Sequence, residues 1–184
     1  MPVTTTSPAR TGDPRYPIGK IELPARLEPA ARAAAIARIG GVPTALYDAV
    51  RGLDAAQLDT PYRAGGWTLR QVVHHVADSH LNAYVRCKLT LTEKAPPPIK
   101  AYDEAAWAKL ADANGPIGSS LLIVQAIHDR WVHCLRSLTE SAFARTCVHS
   151  ERGVMTLDDL VALYAWHGSH HVAHITTLRL AKGW

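Results

Sequence analysis

The chain has 184 residues, 47% of them hydrophobic and 20% charged, and carries a formal net charge of +4. That length can bury the core of one domain without covalent staples, and the composition excludes wholesale disorder. Its lysines and arginines are dispersed and it has a single Phe, so it lacks the concentrated charge and stacking aromatics of a nucleic-acid binder.

Residues 1–24 hold five of the twelve prolines and read as an extended N-terminal arm, leaving residues 25–184 as one helical-bundle domain. No apolar run near the start resembles a secretory signal, and none approaches the ~18 residues of a membrane span. Cys87, Cys134 and Cys147 are scattered without a C-x-x-C pair, which fits free thiols in a reducing, cytoplasmic setting. Pro29 suits the first turn of an Ala-rich helix, while Gly40-Gly41 with Pro43 predicts a break between two helical pieces. Residues 55–66 read as a connection.

Thr68 and Gln71 have capping-box spacing and open a long helix. Leu69, Val72, Val73, Val76, Ala83 and Cys87 recur along it to about Glu93, ahead of Pro96-Pro97-Pro98. A short helix is expected over 103–110. A long one follows Pro116, carrying Ile117, Leu121, Val124, Ile127, Trp131 and Leu135. Residues 144–155 suit a small hairpin with Arg152-Gly153 in its turn. Thr156 and Asp159 then cap the last helix. The expected fold is all-α, a four-helix bundle with short extra helices and no sustained strand alternation.

Histidine dominates the chemistry: ten are present, with His74, His75 and His80 in one cluster and His167, His170, His171 and His174 in another. At roughly 100° per residue, Leu157, Leu160, Tyr164, His167, His171, Ile175 and Leu178 form one apolar stripe, with Trp166 and His170 directed elsewhere. His167 and His171 stand one turn apart on it. Two imidazoles buried together each need a polar partner, and a shared metal ion supplies one. The bland alternative is a pair of core histidines satisfied without metal. In the first cluster His80 projects near the centre of the apolar face, His75 toward its edge and His74 well away. Spacing leaves His75 and His80 both open as a third ligand.

Long segments, RYPIGK, LDTPYRAGGWTLRQVVHHVADSHLNAYVRCKLTLTE, HDRWVHCLRSLTE, YAWHGSHHVAHITTLR and a final Gly-Trp, resemble the DinB superfamily. Within it they resemble the YfiT-like proteins, described as metal-dependent hydrolases or bacillithiol S-transferases. The resemblance implies a metal ligand eight residues after Trp67, hence His75, and two more from the W-H-x-x-H-H segment, His167 and His171. It makes His80 a neighbour rather than a ligand.

Three neutral imidazoles with an open position mark a catalytic rather than a closed structural site, and zinc or nickel suits them. A bound water would make a hydrolase, a bound thiol an S-transferase. The H-G-S-H-H cluster lacks the Glu of H-E-x-x-H, which argues against peptide hydrolysis. Together with the resemblance, this favours transfer of a low-molecular-weight thiol, of bacillithiol type, to a small electrophile. Hydrolysis of a small amide or ester, with His80 or His174 as base, is the alternative; a non-catalytic metal-binding stress protein and an unmetallated helical module stand behind it. Asp78, His80 and His174 are candidates to fix a ligand tautomer or pass a proton. Asn82 and Arg86 continue the His75 side, where Arg86 could meet an anionic thiol, and Cys87 reads as a buried thiol. Small-molecule substrates are the expected partners, without nucleic acid or membrane. The resemblance implies a homodimer as one assembly state, with the arm able to wrap the second copy.

Overall fold

The structure, a computed structural model, describes residues 12–24 and 26–184; the first eleven residues of the expected arm lie outside the described residues. Four long helices form the bundle: α1 (Pro29–Val50), α3 (Leu69–Thr92), α5 (Gly118–Arg136) and α6 (Leu157–Lys182). Short helices α2 (Ala55–Leu58) and α4 (Glu104–Trp107) and two 3-10 turns fill the connections. The expected four-helix bundle is the observed one.

Local signals set the helix ends. Pro29 occupies the first turn of α1 after Glu28. Thr68 accepts from the Gln71 N–H while the Gln71 side chain accepts from the Thr68 N–H at 3.0 Å, and Thr156 and Asp159 repeat the pattern at α6. Each box satisfies two donors that a helix start otherwise leaves open. Gly183, at φ 69°, ends α6 in the left-handed region.

The expected break at Gly40-Gly41-Pro43 is absent. α1 runs unbroken through Pro43, because Ile39, Val42, Pro43 and Leu46 are all buried along one side. A proline deprives the helix of one hydrogen bond, and that packing keeps α1 continuous across the gap.

α1 packs against α5 and α6, and α3 against the same two, so α1 and α3 lie diagonally opposite. One part of the core gathers around Trp131, Leu135, Leu157 and Leu160, another around Leu46, Val72, Val73, Val76 and Ile175. At the start of α6, the buried Arg32 of α1 grips Asp158 through Nε at 2.5 Å and a second nitrogen at 2.7 Å, and Glu140 at 2.6 Å.

The hairpin expected over 144–155 is present as β2 (Thr146–His149) and β3 (Gly153–Thr156), antiparallel, with Gly153 at φ 71° opening β3 after the turn. A two-residue strand not expected from the sequence, β1 (Pro98–Ile99), adds to β2 in parallel, completing a small sheet of order β1-β2-β3. Residues 55–66, expected as a connection, contain α2, which Asp54 and Gln57 cap with a box of their own. Among the described residues no helix is long and apolar enough to cross a membrane.

Candidate metal centre

His75 projects from the second turn of α3, and His167 and His171 project from one face of α6, across the bundle interior. Their Nε2 atoms converge: His167 Nε2 lies 3.2 Å from that of His75 and 3.2 Å from that of His171. The three ligand atoms all lie within 4.8 Å of one another. Nitrogens bound at ~2.05 Å to one tetrahedral ion are ~3.3 Å apart, so two of the separations suit a shared ion.

Burial holds these rings neutral. It pushes His75 down to about 4 and His167 and His171 well below the ordinary value, with the neighbouring histidines adding repulsion. Neutral imidazoles present lone pairs, as metal ligation requires. His171 has its lone pair assigned by its neighbours. His174 Nε2 donates to the Arg15 carbonyl at 3.2 Å, so its Nδ1 accepts, at 3.4 Å, from His171 Nδ1. That leaves His171 Nε2 bare and facing the cluster. Trp67 packs over His75 at 4.7 Å between centroids, and Tyr62 stacks on His174 at 4.1 Å. The donor set therefore fits a divalent ion.

The other expected residues separate clearly. His80 is fully buried, bonds to His167 through Nε2 at 3.1 Å, and stands behind that ring. His74 turns away to Ser120 and Gly115. Asp78 lies in a small pocket beside His74 and His75 with its carboxyl raised by burial, but among the described residues it bonds to no histidine of the cluster. Asn82 donates to the Asp78 carbonyl and takes no part. Cys87 is buried, and desolvation pushes its thiol up to about 12, which makes it inert as a nucleophile.

A cavity of about 780 Å³ opens over the cluster, lined by His75, His167 and His171 together with residues of α3, the α4 region, the β2–β3 hairpin and α6. The expectation that Trp166 and His170 point elsewhere fails here, since both border this cavity. α6 is covered on more than its core stripe: Tyr16 of the arm packs near His170, and the hairpin faces the same side. Trp166 Nε1 and His170 Nδ1 are buried on the cavity wall with no protein partner among the described residues. Arg86, 9% exposed, also lines it. Its guanidinium donates to the Lys100 carbonyl at 3.0 Å and reaches the Tyr164 hydroxyl at 3.5 Å. Among the described residues no carboxylate is within ion-pairing distance of it. The sequence reading singled out neither Glu104, whose carboxyl is raised by burial at the cavity edge, nor His128, which bonds His80 Nδ1 at 2.9 Å.

A candidate metal-dependent hydrolase of Bacillus cereus (strain 03BB102) is 48% identical over 172 residues, covering 94% of this chain and 99% of its own. One from Bacillus mycoides (strain KBAB4) is 47% identical over the same shares. The structure of YfiT from Bacillus subtilis, described as a candidate metal-dependent hydrolase with an unusual four-helix bundle topology, superposes with a TM-score of 0.89. It is 44% identical and covers 93% of this chain and 98% of that one. TT2238, a four-helix bundle protein, matches at a TM-score of 0.54 and 20% identity over 83% of this chain and 99% of that one, a likeness of fold alone. The DinB superfamily signature matches residues 39–175, and with these relatives it places the chain in the DinB superfamily.

Proposed function

We propose that His75, His167 and His171 hold one divalent ion, zinc or nickel, and that the protein transfers a low-molecular-weight thiol to a small electrophile. Such an ion supplies a Lewis acid that lowers the pKa of a coordinated thiol or water. The observation that carries the reading is Arg86, a buried cation with no carboxylate within ion-pairing distance among the described residues, on the wall of the cavity that the three histidines also line. A buried charge is costly unless an anion meets it, and an anionic thiol entering the cavity would supply one.

The chain's residues divide the work. Arg86 anchors the anionic end of the thiol, and the histidines present its sulfur to the electrophile. The thiol's S–H proton passes to water in the open cavity, its sulfur bonds to the electrophilic carbon, and the leaving group departs with the bonding pair and can take up that proton. The bases expected for hydrolysis are badly placed, because His80 and His174 bond other histidines and neither borders the cavity.

Hydrolysis of a small amide or ester remains the second reading. It is favoured by Glu104, a carboxyl that lines the cavity and is made more basic by burial, and by the description given to the relatives. Turnover of a model electrophile by metal-reconstituted protein, with and without added thiol, separates the two. Thiol-dependent product formation supports transfer. Equal turnover without thiol, lost in Glu104→Gln, supports hydrolysis and refutes transfer.

A further inference from the structure

Pro43 has no N–H to give the carbonyl four residues earlier in α1. That carbonyl belongs to Ile39, and it accepts instead from His128 Nδ1 at 2.7 Å. His128 Nε2 lies 2.9 Å from His80 Nδ1, and His80 Nε2 lies 3.1 Å from His167 Nδ1. Each of the four long helices contributes one group: α1 the carbonyl, α5 His128, α3 His80 and α6 His167. His80 and His128 are 0% and 1% exposed, and among the described residues no carboxylate bonds either ring. Rings so buried are neutral, and a neutral imidazole has one N–H and one lone pair.

The order of donors then follows from the end of the chain. A carbonyl can only accept, so His128 carries its proton on Nδ1 and offers its Nε2 lone pair. His80 must donate through Nδ1 and accept through Nε2. His167 must donate through Nδ1, which leaves its Nε2 bare and facing His75 and His171. We propose that the Ile39 carbonyl, His128 and His80 form a relay that fixes the tautomer of His167 and holds its lone pair ready for a metal ion. His128 is thus a positioning residue two hydrogen bonds away from the ligand. The role rests on reading His167 as a ligand; the order of protons does not.

The relay is tested on chelator-treated protein labelled with 15N at histidine, by long-range 1H–15N correlation spectra. The expected result is Nδ1–H at His128, His80 and His167; Nε2–H at any of the three overturns the relay. His128→Phe keeps a ring against Trp131 but removes both nitrogens. In this variant a His167 population with Nε2–H should appear. Zinc affinity, measured by competition with a chromogenic chelator, should fall 10–100-fold, as for other lost partners of metal-bound histidines. Val132→Ala, a trimming change on the same helix, should leave zinc affinity unchanged. A folded His128→Phe protein with native tautomers and affinity overturns the proposal, as does an equal loss in Val132→Ala. If His128→Phe does not fold, the tautomers of the unaltered protein still decide. Native tautomers without zinc binding in the unaltered protein would overturn the metal role alone.

Discussion

Gly168 of α6 rests directly on Val42 of α1: a Cβ added to the glycine would stand 2.4 Å from Val42 Cγ2 and 3.3 Å from His80 Cε1. The missing side chain lets the two helices close on the ring that backs His167. Gly168→Ala would have to push α1 away or displace His80. It is expected to cost about 1–3 kcal/mol of stability, as overpacked cores do, and to weaken zinc binding. Urea unfolding beside a zinc competition assay checks both, and an unchanged midpoint would contradict the close approach.

Arg32 ties the first turn of α1 to the first turn of α6 through Asp158, whose side chain is 13% exposed. Arg32→Met keeps much of the packing over Phe143 but leaves a buried carboxylate uncompensated. The expected loss is about 3–5 kcal/mol. Replacing both partners, Arg32→Met with Asp158→Leu, should recover a large part of it, which equilibrium denaturation of the three proteins would reveal.

Arg86→Met tests the anion subsite without touching the histidines. We expect zinc content to stay near that of the unaltered protein while KM for an anionic thiol rises at least tenfold. A neutral thiol should be affected little. Equal effects on both thiols would count against a charge contact.

Acid should destabilise the chelator-treated protein at an unusually mild pH. In the unfolded chain a histidine takes up its proton near the ordinary value of 6.5, but burial delays this to about 4 for His75 and His174 and about 3 for His170. Between those values the unfolded state binds more protons, so stability is intact above pH 6.5 and is lost as pH falls toward 4. His75 alone should remove about 2 kcal/mol by pH 5. Urea titrations at pH 7.5 and 5 measure it; equal midpoints would show that the histidines are not buried as described.

The sequence made the ends of the long helices legible because caps act locally. Thr68 with Gln71 and Thr156 with Asp159 need only their own turn to be recognised. Pro43 misled because whether a proline breaks a helix depends on what packs around it, and here a buried stripe keeps α1 whole. The helical wheel could not choose between His75 and His80, since both face inward and only the position of α6 decides which meets His167 at Nε2, beside His171, and which at Nδ1, behind the ring. His128 was missed although Val124, His128, Trp131 and Leu135 share one buried stripe of α5. A single histidine there carries no signal until α1 and α3 are in place. The cavity is further still from local pattern, since its wall is assembled from α3, α6 and the hairpin.

His75 and His167 are 92 residues apart in sequence yet 3.2 Å apart in space. An ion held between them would act as a clip across half the chain, and its binding free energy would be added to that of folding. The loaded protein's resistance to unfolding would then track the concentration of free metal around it, rising by about 1.4 kcal/mol for each tenfold increase once the ion is well above its dissociation constant. Stability would become a property of the surrounding solution as much as of the chain.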